Sequence, residues 1–213
     1  MKTKILPSIN VQNFNEFRKR INLLKGLTDV FHLDVANLEF TGDYQTWRNP
    51  QDLDKIEDKV FFDVHLMITL KRQDIFSWSK KNIKRLILHL EGNPNANILF
   101  KLAKKTGKKI IIAWSPQVEF DFIERYLKFS NGILILGVKP GKSGQDFLEA
   151  TYQRIEQIKK NLKKSQELII DGGINKNNLK KILSYQPDII VIGSAIFNTP
   201  DPKKTYLEFM NVL

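Results

Sequence analysis

The chain has 213 residues, 42% hydrophobic and 27% charged, which is enough apolar side chain for one buried core and too much for disorder. Its formal charge of +11 admits an anionic partner, but the basic residues lie in scattered pairs such as Lys80-Lys81, Lys104-Lys105 and Lys159-Lys160 without interleaved aromatics; solvated helix faces are expected, and no nucleic acid. The absence of cysteine removes disulfides, thiolate zinc sites and a cysteine nucleophile and favours a cytoplasmic address, and no run approaches the roughly 20 apolar residues of a membrane span.

The basic start, Met1-Lys2-Thr3-Lys4, is followed only by Ile5-Leu6 before Pro7, too short for a signal-peptide core. From there, short β-branched runs alternate with longer amphipathic ones. Residues 4–9 read as a strand and 13–25 as a helix. Strand 29–34 leads through a long loop to a short helix over 49–57. Strand 60–66 precedes helix 71–80, and strand 85–90 precedes helix 95–105. Strand 109–114 precedes helix 119–128. Strand 132–138 runs into a Gly-rich loop and helix 147–162. Strand 167–170 precedes helix 176–183, and strand 188–192 precedes a closing helix over 202–211. Eight β/α units at this spacing predict an α/β fold, a (β/α)8 TIM barrel. The alternative, a doubly wound open sheet, carries its Gly-rich phosphate turn after the first strand. Here that strand ends Pro7-Ser8-Ile9-Asn10, without glycine. No linker or composition break divides residues 1–213, so one domain is expected.

The three histidines, His32, His65 and His89, all fall near the C-terminal ends of predicted strands, where barrel active sites are built. His32 and Asp34 are two apart and share a face, as do Asp63, His65 and Met67. The seventh strand ends in Asp171. Any one histidine taken alone reads better as a satisfied core residue, and His89 as pocket lining. His32, Asp34, His65 and Asp171 together form an N/O ligand set for one divalent ion: zinc, iron(II), manganese or cobalt. A buried carboxylate is costly unless it is paired or ligates a metal. The last three strands lead into Gly141 and Gly144, Gly172-Gly173, and Gly193-Ser194. Glycine turns at these strand ends, with a short helix over 194–197, suit a phosphate cradle; ordinary turn glycine is the competing reading. Lys139 and Lys142 either offer charge to that phosphate or are surface lysines.

Read in order, these segments resemble the ribulose-phosphate 3-epimerase family along nearly the whole chain. The resemblance is carried by Pro7-Ser8-Ile9, His32-Leu33-Asp34-Val35, Asp63-Val64-His65-Leu66-Met67-Ile68, Val138-Lys139-Pro140-Gly141 with Gly144-Gln145 and Phe147, Asp171-Gly172-Gly173-Ile174, and Gly193-Ser194-Ala195-Ile196-Phe197. It implies inversion at C3 of a ketopentose 5-phosphate, D-ribulose 5-phosphate to D-xylulose 5-phosphate, in the pentose phosphate pathway. It also implies that Asp34 and Asp171 move the protons, that His32, Asp34, His65 and Asp171 hold the metal, and that Ser8 touches the substrate or orients a metal-bound group. The chain departs from the family after its second strand, where Met-Asp-Gly-x-Phe-Val-Pro-Asn is replaced by Ala36-Asn37-Leu38-Glu39-Phe40-Thr41-Gly42-Asp43. Leu136 stands where the family has methionine, and Gly141-Lys142-Ser143-Gly144 replaces Gly-Phe-Gly-Gly. A six-carbon ketose phosphate such as allulose 6-phosphate is therefore an alternative substrate, and a non-catalytic phosphosugar-binding relative an alternative role. An Asp-x-Lys-x-x-Asp signature of phosphosugar lyases and decarboxylases is absent. A homo-oligomer is left open.

Overall fold

The computed structural model describes residues 3–56 and 59–213. Met1-Lys2 of the basic start and Glu57, the predicted end of the 49–57 helix, lie outside the described residues. Eight strands close into a barrel: β1 (Lys4–Ile9), β2 (Val30–Ala36), β3 (Phe61–Met67), β4 (Ile83–Leu88), β5 (Lys109–Trp114), β6 (Gly132–Leu136), β7 (Glu167–Asp171) and β8 (Ile189–Ile192). Each pairs parallel with the next, and β8 returns to β1. Outside run α1 (Phe14–Leu24), α2 (Leu38–Thr41), a 3-10 turn (Pro50–Lys55), α3 (Arg72–Ser77), α4 (Ala96–Lys104), α5 (Phe120–Leu127), α6 (Ala150–Lys159), α7 (Lys176–Ser184), α8 (Ser194–Phe197) and α9 (Pro202–Met210). This is the predicted (β/α)8 barrel. No helix among the described residues is long and apolar enough to cross a membrane.

Strands such as Ile189-Ile190-Val191-Ile192 are apolar on both faces because both faces are buried. The pleat divides them into two cores. Outward residues such as Ile110, Ile112, Ile133 and Ile135 meet the helices, where Phe17 and Phe62 pack. Inward residues, among them Leu6, Ile87, Ile111, Leu134, Ile169 and Val191, fill the barrel as an apolar belt. Below the belt, near the strand beginnings, sits an ion cluster. Arg85 donates to both Asp63 oxygens at 3.0 Å and to Glu167 at 2.7 and 2.8 Å. Lys109 adds a 2.7 Å contact to Glu167. Burial pushes the Asp63 carboxyl up against the pull of Arg85. Burial also opposes ionisation of Glu167, yet Arg85 and Lys109 hold it down at about 2.

Several boundaries differ from expectation, three of them near the site. The second crossover has no long helix: one turn, α2, lies in the predicted loop, and residues 50–55 form a 3-10 turn started by Pro50 and capped by Asn49. β2 runs two residues further, to Ala36, whose N–H bonds the Thr46 hydroxyl at 2.8 Å. Helix α6 begins at Ala150, not at 147. Phe147 lies against the turn at Gly173, where φ is +70° and an added Cβ would stand 2.5 Å from the Phe147 nitrogen. Only glycine tolerates both that angle and that approach.

Candidate active site

The predicted pleat positions the site. Ser8 on β1 lies beside His32 on β2, Asp34 beside His65 on β3, and Leu136 beside Asp171 on β7. All these strands deliver their C-terminal ends to one mouth. His32 and His65 are fully buried; Asp34 and Asp171 are each 7% exposed.

Four donor atoms converge there. His32 Nε2 is 3.2 Å from Asp34 Oδ1 and 3.5 Å from Asp171 Oδ2. His65 Nδ1 is 3.3 and 3.4 Å from the same two oxygens. The two ring nitrogens are 3.3 Å apart. A tetrahedral ion with bonds of about 2.0–2.1 Å needs donor-to-donor edges of roughly 3.3–3.4 Å. The arrangement therefore fits a divalent metal, and these four residues could hold one. Asp34 Oδ1 is buried and lacks a hydrogen bond, as is His32 Nδ1. Uncompensated polar atoms of this kind are rare in native cores. Burial would raise the Asp34 carboxyl, but His32 and His65 hold it far below the usual carboxylate range. Burial would lower His65, but Asp171 and Asp34 push it up to about 9.

The other oxygen of Asp34 is engaged. Ser8 Oγ donates to Oδ2 at 2.6 Å, and Asn10 Nδ2 donates to it at 3.3 Å. Asn10 also donates to the Gly141 carbonyl at 3.0 Å and accepts from Tyr44 Oη at 2.9 Å. The Gly141 N–H reaches Met67 Sδ at 3.3 Å. The loop after β6 is thus tied down over the ligand set. Gly141, Gly144, Gly172, Gly173, Gly193 and Ser194 line one cavity with Ser8, Asp34 and Asp171, and Lys139 and Lys142 also border it. The walls are close: a Cβ at Gly193 would stand 3.3 Å from Ser8 Cβ and 3.6 Å from Ser143 Oγ.

His89 lies one residue beyond β4, with Nε2 2.8 Å from His65 Nε2. Its Nδ1 is 2.6 Å from Glu91 Oε1, to which Ser115 also donates at 2.6 Å. Asn10, Tyr44, Glu91 and Ser115 are missing from the sequence-derived site. Two were within reach: Asn10 follows Ser8, and Glu91 follows His89, by the same two-residue step that linked Asp34 to His32. Tyr44 and Ser115 carry no comparable signal.

A model of the ribulose-phosphate 3 epimerase family matches residues 4–197. The ribulose-phosphate 3-epimerase of Buchnera aphidicola subsp. Baizongia pistaciae is 31% identical over 97% of this chain and 93% of its own. The enzymes of that name from Bacillus subtilis and Escherichia coli K12 are 27% and 26% identical, over 96% and 98% of this chain and 97% and 95% of their own. Among solved structures, a 3-hexulose-6-phosphate synthase from Salmonella typhimurium superposes with a TM-score of 0.73 at 13% identity, covering 99% of this chain and 98% of the other. That likeness is one of fold.

Proposed function

The chain belongs to the ribulose-phosphate 3-epimerase family and is an epimerase, an isomerase of phosphorylated sugars, and from that premise we propose that it interconverts D-ribulose 5-phosphate and D-xylulose 5-phosphate with the help of one divalent metal. The observation that carries this reading is the set of 3.2–3.5 Å spacings among His32, Asp34, His65 and Asp171. Zinc, iron(II), manganese and cobalt all suit two imidazoles and two carboxylates. When bound, such an ion supplies Lewis acidity that stabilises the negative charge of an enediolate.

The residues do the rest. A proton next to a carbonyl must be removed from one face of C3 and a proton returned to the other. Asp34 comes from β2 and Asp171 from β7, three strands apart around the barrel. In one direction Asp34, kept ionised by its histidines, takes the C3 proton and Asp171 returns one to the opposite face. In the reverse direction the roles exchange. Ser8 and Asn10 fix the Asp34 carboxylate through Oδ2. The glycine turns at 141, 144, 172, 173 and 193, with Ser194, take the phosphate, whose binding positions C3. The described residues act as one barrel unit.

Incubation with ribulose 5-phosphate in D2O tests the proposal. Deuterium should enter C3 as xylulose 5-phosphate forms, and Asp171→Asn should lower that rate by about 10²–10⁴. Protein holding one metal per chain but giving no exchange would exclude the pentulose and send the search to six-carbon ketose phosphates.

A further inference from the structure

One buried polar chain has no part in the reaction as written. It runs from Glu91 through His89 to His65. Ser115 Oγ and His89 Nδ1 both meet Glu91 Oε1 at 2.6 Å, while Glu91 Oε2 makes no hydrogen bond. The His89 and His65 rings lie 5.0 Å apart between centroids with planes 20° apart, their Nε2 atoms in a 2.8 Å contact. Phe40 packs 5.1 Å from the His89 ring.

The hydrogen positions follow from what each group can donate. An ionised carboxylate only accepts. Glu91 Oε1 takes two 2.6 Å contacts, from Ser115 Oγ and from His89 Nδ1, as an accepting carboxylate oxygen does. His89 Nδ1 therefore carries the hydrogen it shares with Glu91. In a neutral His89 the other nitrogen, Nε2, is then an acceptor. The hydrogen in the 2.8 Å contact must come from His65 Nε2. A neutral His65 protonated there has a bare Nδ1, the atom that faces Asp34 and Asp171.

We propose that Glu91, anchored by Ser115, is a positioning residue that acts through His89 to hold His65 in the tautomer whose Nδ1 can ligate the metal. The proposal rests on the metal-dependent reading above and adds Glu91, Ser115 and His89 to it. Neither Glu91 nor Ser115 touches the ligand atoms, so any effect must pass through the His89 ring. Outer partners of ligating histidines of this kind change metal affinity by about 10- to 100-fold when removed.

The test uses full-length, metal-stripped protein. Zinc affinity is measured by competition with a chelator, and the ligand field by visible absorption of cobalt(II)-loaded protein. Glu91→Met removes the acceptor; Glu91→Gln keeps a carbonyl for His89 but not the charge. Zinc affinity should fall about 10- to 100-fold in Glu91→Met and less in Glu91→Gln, with the cobalt bands altered in the same order. Combining Glu91→Met with His89→Phe should cost no more than His89→Phe alone, because one change acts through the other. Packing alone predicts wild-type affinity and cobalt spectra in folded variants, and that result overturns the proposal. If Glu91→Met fails to fold, Ser115→Ala decides: a several-fold loss of zinc affinity supports the relay, and no loss removes it. Wild-type protein that binds no zinc or cobalt would instead remove the metal-dependent reading itself.

Discussion

His65 is pulled in two directions. Burial lowers it, and Asp171 and Asp34 raise it to about 9 from an ordinary 6.5. The metal-free fold therefore binds that proton more tightly than the unfolded chain does. The resulting stability is full below pH 6.5 and is lost as pH rises to about 9. Asp34 has the opposite sign: burial raises it, but its histidines depress it more, so its contribution is present above 3.8 and lost as pH falls below that value. Metal-free protein should be most stable between these two limits. Its thermal midpoint should drop from pH 6.5 to 9, and bound metal, which takes the proton's place, should flatten that drop. Equal slopes with and without metal would mean that His65 does not face the ion. Asp34 was legible beside His32 because strand alternation needs only their two-residue spacing. Tyr44 was not legible: its bond to Asn10 spans 34 positions and follows no period.

At the scale of elements, the loop after β6 is where sequence and structure part. Alternation predicted β6 through Val138 and a helix from Phe147, but β6 ends at Leu136 and α6 starts at Ala150. Hydrophobic pattern alone could not show that Leu148 N–H would bond the Gly137 carbonyl at 2.8 Å and hold the segment across the mouth. At Gly141 φ is +117° and an added Cβ would stand only 3.0 Å from Thr41 Cγ2. Asn10 is the polar tie between that loop and Asp34. Asn10→Leu should free the loop while leaving the barrel folded. Trypsin should then cut after Lys142 several times faster, with little change in the thermal midpoint. An unchanged cutting rate would assign the loop's position to its own packing. The divergent segment 36–43 supplies Thr41, the side chain that stands beside Gly141.

Across the whole molecule, the two ends of the barrel carry different tasks. The mouth holds the ligand set; the far end holds Arg85 between Asp63 and Glu167. Arg85→Met would leave Asp63 buried without its cation and should cost about 3–5 kcal/mol in urea unfolding, with zinc affinity unchanged. A change in zinc affinity would show that the two ends are coupled through the belt. The barrel itself was readable from eight β/α repeats and from strands apolar on both faces. The ion cluster was not, since Arg85 and Glu167 are 82 positions apart and meet only when the barrel closes.

On the proposed chemistry, the apolar belt would give the enzyme a memory. On that chemistry each turnover leaves the two aspartates with their protonation exchanged. A chain that has just made one epimer is primed to run backward. Resetting requires a proton swap with water, and Leu6, Ile87, Ile111, Leu134, Ile169 and Val191 block the route from below. The swap can happen only through the mouth, so the loop that admits the sugar also decides how long the barrel remembers which way it last turned.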